Sequence, residues 1–169
     1  DTSYKVTAVK EYYDMDEKTF ASTNEANLEL ALNLDLGSSE FVYVRGKLMI
    51  KINPIYFDLD KSYIRPDAEL ELERVVRIMQ KYPELKINLG SHTDSRARDA
   101  YNWSLSTRRA RSSKNWIVRQ GIDPSRIKAE GFGETELVNK CSNGVNCSED
   151  DHQLNRRTEF VIVNPEVIK

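Results

Sequence analysis

Leucine occupies every second position from Leu28 to Leu36, with polar or small residues between. A period of two predicts a half-buried strand there. Gly37-Ser38-Ser39 reads as a turn, and Phe41–Val44 as another short β run that ends before Gly46. These few strands are too little to enclose a core by themselves. Residues 1–47 are therefore expected to be a β-rich N-terminal extension or the remnant of an upstream domain.

From Leu48 the pattern becomes more regular. Ile50, Ile52, Ile55 and Phe57 predict a strand ending near Asp58, with Pro54 at a bulge or edge position. Pro66 suits a first helical position, and Asp67 and Glu69 suit the positive end of a helix dipole. Leu72, Val75, Val76 and Met79 then share one helical face, and Tyr82-Pro83 ends the helix. Leu85, Ile87 and Leu89 alternate as the next strand, which stops at Gly90-Ser91. A polar connection follows and feeds a helix that reaches about Gln120 and is closed by Gly121. A short strand is expected over Arg126–Glu130, a long loop from Gly131 to Gln153, and a last strand over Thr158–Val163. The run Phe160-Val161-Ile162-Val163 is nearly continuous, which points to a central strand.

The order from Leu48 is thus β-α-β-α-β-loop-β. Strands joined through helices lie parallel with right-handed crossovers, and the last strand is free to add antiparallel. The expected fold is a two-layer α/β (α+β) sandwich with a mixed sheet over residues 48–164, followed by a short tail at 165–169.

The length of 169 residues suits one domain with an extension, and 39% hydrophobic with 31% charged residues is ordinary for a globular chain. The formal net charge of −2 gives no sign of nucleic-acid binding. No apolar run is long enough to span a bilayer. The chain opens at Asp1 rather than Met, so we expect a piece of a longer protein, with any membrane attachment supplied by the part before it.

The connection from Ser91 to Ala110 gathers most of the candidate chemistry. Asp94 falls just past a strand end, and Arg109 falls in the following helix, on the side shared with Leu105. With Ser104 or Ser106 capping that helix, Arg109 would lie about one turn in, facing Asp94 across a small cleft. A carboxylate and a guanidinium held apart suit a zwitterion, the acid taking an ammonium and the arginine a carboxylate. The competing reading is a plain Asp94–Arg109 salt bridge that ties the loop down. Asp58, Asp60, Ser62 and Glu69 imitate calcium-loop spacing, but Tyr63 stands where glycine is needed, so no metal is expected there. His92 reads as structural, and no nucleophile–base set is recognisable. Cys141 and Cys147 share a Gly/Asn/Ser-rich loop, compatible with a disulfide, a metal pair or two free thiols. No cofactor is implied.

The series Tyr56-Phe57-Asp58, Thr93-Asp94, Tyr101-Asn102, Leu105-Ser106, Arg109-Ala110, Gly121-Ile122, Arg126-Ile127, Gly131-Phe132-Gly133-Glu134 and Asn155-Arg156-Arg157-Thr158-Glu159-Phe160 resembles the OmpA-like C-terminal domain. That family includes the peptidoglycan-associated lipoproteins and the stator protein of the flagellar motor. The start at Tyr56 and the cysteine loop are most similar to versions of the Bacteroidetes type. The resemblance implies non-enzymatic, non-covalent binding of peptidoglycan and anchoring of an outer-membrane protein or lipoprotein to the cell wall from the periplasm. It implies that Asp94 and Arg109 hold the amino and carboxylate groups of a stem-peptide diaminopimelate. Thr93, Asn102, Leu105, Phe57, Asp58, Asn155 and Arg156 would line the same pocket. It also favours the Cys141–Cys147 disulfide and leaves room for other envelope proteins as partners. Two departures stand out. Ala97 replaces a usual glycine, and Ser113 replaces a usual apolar helix residue. If position 97 needed a positive φ, alanine would strain the loop. The alternative function is then an envelope interaction module with a vestigial pocket.

Overall fold

The computed structural model of the chain describes residues 3–8, 16–21, 40–58 and 60–168. The leucine alternation at 28–36 lies outside them. Strands β1 (Ser3–Ala8) and β2 (Asp16–Ala21) pair antiparallel as a two-stranded sheet. The main sheet comprises β3 (Phe41–Val44), β4 (Lys47–Ile50), β5 (Ile87–His92), β6 (Ile127–Gly133) and β7 (Thr158–Ile162), in the order β3-β4-β7-β5-β6. Strands β5 and β6 run parallel, and the other neighbours are antiparallel. The mixed sheet and the central place of β7 agree with the sequence pattern.

Helix α1 (Pro66–Lys81) starts with proline at its first position and acids in its first turn. Proline lacks the N–H that would be unpaired there, and the acids oppose the helix dipole. Its apolar face, including Leu72, Val75, Val76 and Met79, is buried. Helix α2 (Asp99–Arg119) adds Ala110, Trp116 and Ile117 to the same core, where Ile87 and Leu89 of β5 and Phe160 and Ile162 of β7 also sit. Arg126 ties the end of α1 down by donating to the carbonyls of Met79, Tyr82 and Leu85. Ser113 is fully buried, with a hydroxyl that finds no partner among the described residues.

Three expected boundaries move. The strand expected to run to Asp58 ends at Ile50, and residues 51–58 form no ladder. Pro54 lacks a ladder donor, and Asn53 is held instead by two hydrogen bonds to the Glu71 carboxylate. Ile55 is still buried, so the alternation reported burial rather than pairing. The expected strand over Arg126–Glu130 is β6, shifted to Ile127–Gly133. The long loop contains α3 (Glu149–Asn155), opened by a reciprocal capping box between Ser148 and Asp151.

One glycine sets how closely the layers meet. A Cβ on Gly131 of β6 would fall 2.2 Å from the Thr107 backbone nitrogen of α2. Only a hydrogen side chain lets this strand and helix touch there. Gly131→Ala should therefore destabilise the domain by about 1–3 kcal/mol through forced separation of α2 from the sheet. Urea unfolding of the variant measures this, and an unchanged midpoint would show that the contact is not a constraint.

Candidate ligand-binding site

A cleft of about 480 Å³ opens where β5 ends and α2 and α3 approach each other. Phe57, Thr93, Asp94, Asn102, Leu105, Arg109 and Arg156 line it, so seven of the nine expected positions converge. Their placement follows from the fold. Thr93 leaves the end of β5, its N–H donating to the Gly133 carbonyl of β6. The next residue, Asp94, therefore starts its loop from a fixed sheet edge. Leu105 and Arg109 are four apart on α2 and share a face.

The remaining two expected positions do not face the cleft. The Asp58 carboxylate accepts from Tyr63 and Arg65. Asn155 is fully buried, bonding Asn139 and the Val138 N–H, so it fastens α3 to the preceding loop. Asn102 lines the cleft, but its amide nitrogen is engaged. It donates to the carbonyls of Asp94 and Ala97 and to Glu134. Asn102 thus shapes the Asp94 loop from within.

The helix start differs from the sequence expectation. Helix α2 begins at Asp99, with Arg98 at its cap position and no side-chain cap. Arg109 therefore lies about three turns into the helix rather than one. Ser104 and Ser106 are interior. The Ser106 hydroxyl donates to the Trp103 carbonyl and accepts the Gly133 N–H, fixing helix to sheet.

The simple Asp94–Arg109 salt bridge does not form. Arg109 donates from Nε to the Lys61 carbonyl at 3.0 Å and from Nη2 to the Asp58 carbonyl at 3.3 Å. Its guanidinium lies 4.9 Å from the centre of the Phe57 ring, a favourable cation–π distance. No carboxylate pairs with it among the described residues. Burial pushes its pKa down, yet a guanidinium stays charged at any relevant pH. Arg109 is thus a buried cation whose hydrogen bonds among the described residues go to neutral carbonyls.

Asp94 is not left bare, as the separated-charge reading expected. Arg96 Nη2 donates to its Oδ2 at 2.7 Å and Arg156 Nη1 at 2.6 Å. Burial pushes the Asp94 carboxyl up, but these bonds and the Arg96 N–H outweigh burial and bring it down to about 2. It is therefore ionised throughout the physiological range. Glu149 accepts from the far ends of both arginines.

Arg96, Glu149, Gln153, Tyr101 and Asp60 also line the cleft and were not among the expected site residues. The signal for Glu149 was available, since Ser148 followed by Asp151 marks a helix start. Ala97 lines the cleft in ordinary backbone; among the described residues the positive-φ positions other than glycine are Arg45 and Asp60. The loss of glycine at 97 causes no backbone strain.

Cys141 and Cys147 form a disulfide, which settles the three readings of that pair. The Cys141 carbonyl accepts the buried Ser95 hydroxyl at 2.6 Å, and α3 begins just after Cys147. The bridge therefore holds the Asp94 loop and the α3 wall together.

The family model for the OmpA family matches residues 56–150, more than half of the chain. The chain belongs to the OmpA family. It is 38% identical over 116 residues to outer membrane porin F of Pseudomonas fluorescens, covering 69% of this chain and 32% of that protein. It is 33% identical over 87 residues to the peptidoglycan-associated lipoprotein of Brucella melitensis, covering 52% of each. The chain thus spans about a third to a half of these relatives. Among solved structures, the cell wall anchor of the T6SS from Pseudomonas aeruginosa superposes with a TM-score of 0.54 at 25% identity, covering 68% of this chain and 78% of that one. No helix among the described residues of this OmpA-family chain is long and apolar enough to cross a membrane.

His92, the last residue of β5, is buried against Phe132 at 5.1 Å, and neither ring nitrogen has a hydrogen-bond partner among the described residues. Burial lowers its pKa to about 4, with Arg157 adding to the effect and Glu159 opposing it. An unfolded histidine takes its proton near pH 6.5. As pH falls from about 6.5 to about 4, the unfolded chain gains a proton that the folded one refuses, so stability declines over that window. Asp94, lowered to about 2, adds a further loss only as pH falls from about 4 to 2. His92→Phe should flatten the upper window and leave the lower one, as followed by urea midpoints between pH 7 and pH 3; an unchanged upper slope would exclude His92 as its source. Opening the short disulfide loop, by Cys141→Ser with Cys147→Ser, should cost about 2 kcal/mol, read by the same urea titration at pH 7.

Proposed function

We propose that this domain binds peptidoglycan non-covalently and anchors an outer-membrane protein or lipoprotein to the cell wall. The observation that carries the reading is the pair of opposed charges in one cleft. Asp94 is ionised on the strand side, and Arg109 is a buried cation without a carboxylate partner among the described residues on the helix side. A ligand that offers an ammonium to the first and a carboxylate to the second is a zwitterion. The amino-acid end of a diaminopimelate side chain in the stem peptide has that form. Leu105 and the Phe57 ring supply apolar walls for its methylene chain, and Arg156 stands beside Asp94.

The relatives support the same reading, since one is named for its association with peptidoglycan and a solved neighbour for anchoring to the cell wall. The binding unit, expected over residues 48–164, also takes in β3 at Phe41–Val44, which belongs to its main sheet. The domain works in the periplasm as part of a longer protein held at the outer membrane, without catalysis. The reading of a vestigial pocket rested on strain at Ala97, and the ordinary backbone there removes its basis.

Asp94→Ala or Arg109→Ala should abolish co-sedimentation with purified sacculi while leaving the circular dichroism spectrum unchanged. Arg109 also holds the carbonyls of Asp58 and Lys61, so Asp94→Ala is the cleaner of the two. If both folded variants still sediment with sacculi, the clamp is wrong.

A further inference from the structure

Arg96 stands in the cleft beside the two residues of the proposed clamp. It lies two residues beyond Asp94 and reaches back to it, Nη2 and Nε donating to Oδ2 at 2.7 and 3.2 Å. Its Nη1 donates to Glu149 Oε2 at 2.8 Å. Arg156 spans the same two acids, reaching Asp94 Oδ2 at 2.6 Å and Glu149 Oε1 at 2.5 Å. Two cations thus bridge two anions.

The two arginines are not equivalent. The Arg156 side chain is 22% exposed and is further held by Gln153. The Arg96 side chain is 50% exposed, and its second anchor, Glu149, is 63% exposed. Exposed ion pairs add little net stability, because solvent competes for both ends and the side chains lose freedom. Arg96 is therefore the member of the set that an incoming cation can exchange with most readily. When it leaves Asp94 it need not leave the network, because Glu149 still accepts from its other end.

We propose that Arg96 is a displaceable gate over Asp94, its guanidinium occupying in the free domain the place of the ligand's ammonium. Glu149 holds the gate when it opens. This rests on the reading of Asp94 as the ammonium acceptor. The gate makes binding a cation exchange, so an ammonium displaces Arg96 from Asp94 better than a neutral group does. It also lowers apparent affinity by the fraction of molecules in which Arg96 has left Asp94.

The test is calorimetric and stopped-flow titration of the folded domain with a synthetic stem tripeptide ending in meso-diaminopimelate. Arg96→Ala and Arg96→Gln should each bind about three- to tenfold tighter than the natural sequence, with faster association, as expected when a closed fraction is removed. Glu149→Gln should bind more weakly, because Arg96 then has Asp94 as its sole acid partner among the described residues. Binding by the Arg96 variants alone would also support the gate. If the natural sequence binds, Asp94→Asn does not, and both Arg96 variants bind equally or less tightly, the gate is overturned and the clamp stands. If neither the natural sequence nor an Arg96 variant binds, both are overturned.

Discussion

The most demanding group in this domain is the buried guanidinium of Arg109. It cannot discard its charge, and leaving water without a counter-ion is costly. The chain meets that cost with neutral partners. The carbonyls of Asp58 and Lys61 accept from it, and the Phe57 ring lies under it. Those contacts hold Asp58 and Lys61, the ends of a turn that lies outside any ladder. Within the turn Asp60 adopts a φ of 58° and accepts from Tyr101 of α2. One helical cation thereby places a whole irregular wall of the cleft. Neutral dipoles cannot cancel a full charge, so the wall they build remains attractive to an anion.

The opposite wall is fixed by different means. Asp94 begins its loop at the end of β5, and Asn102 gathers the loop's carbonyls from inside. Ser95 ties that loop to Cys141, and the disulfide leads into α3, which carries Glu149 and Gln153 to the rim. The backbone on this side is held by a covalent bridge and buried hydrogen bonds. The charged tips above it, Arg96 and Glu149, are half or more exposed. The result is a firm frame carrying an exchangeable set of ion pairs. That combination allows local rearrangement without disturbing the sheet.

Much of this was legible in the sequence where burial has a simple period. The face of α1, the inward residues of β5 and the central strand β7 all declare themselves through apolar spacing. That Asp94 follows β5 and Arg109 lies on α2 was also legible, but spacing left open whether the two would pair. Helix α2 misled because Ser104 and Ser106 look like caps, whereas its true start at Asp99 has no capping side chain. Interior serines served another purpose, since Ser106 takes the Gly133 N–H across the layers. Residues 51–58 misled because Ile55 stays buried, and Ile52 and Phe57 half-buried, after the ladder stops. The pairing of Asp94 with Arg156 could not be seen at all. It joins residues 62 positions apart, and nothing local marks it.

The charges lining the cleft nearly cancel. Asp60, Asp94 and Glu149 face Arg96, Arg109 and Arg156. A site of this kind exerts little long-range pull on ions of either sign, because opposed charges a few ångströms apart screen one another at a distance. Selectivity must then come from arrangement at contact range. An isolated anion finds Arg109 but also meets the acids around it, and an isolated cation meets the arginines. A ligand with both charges, spaced to match Arg109 and Asp94, gains at both ends and leaves the neutrality of the cleft unchanged. Apolar Leu105 and Phe57 on the lining favour a hydrocarbon link between those two charges over a polar one.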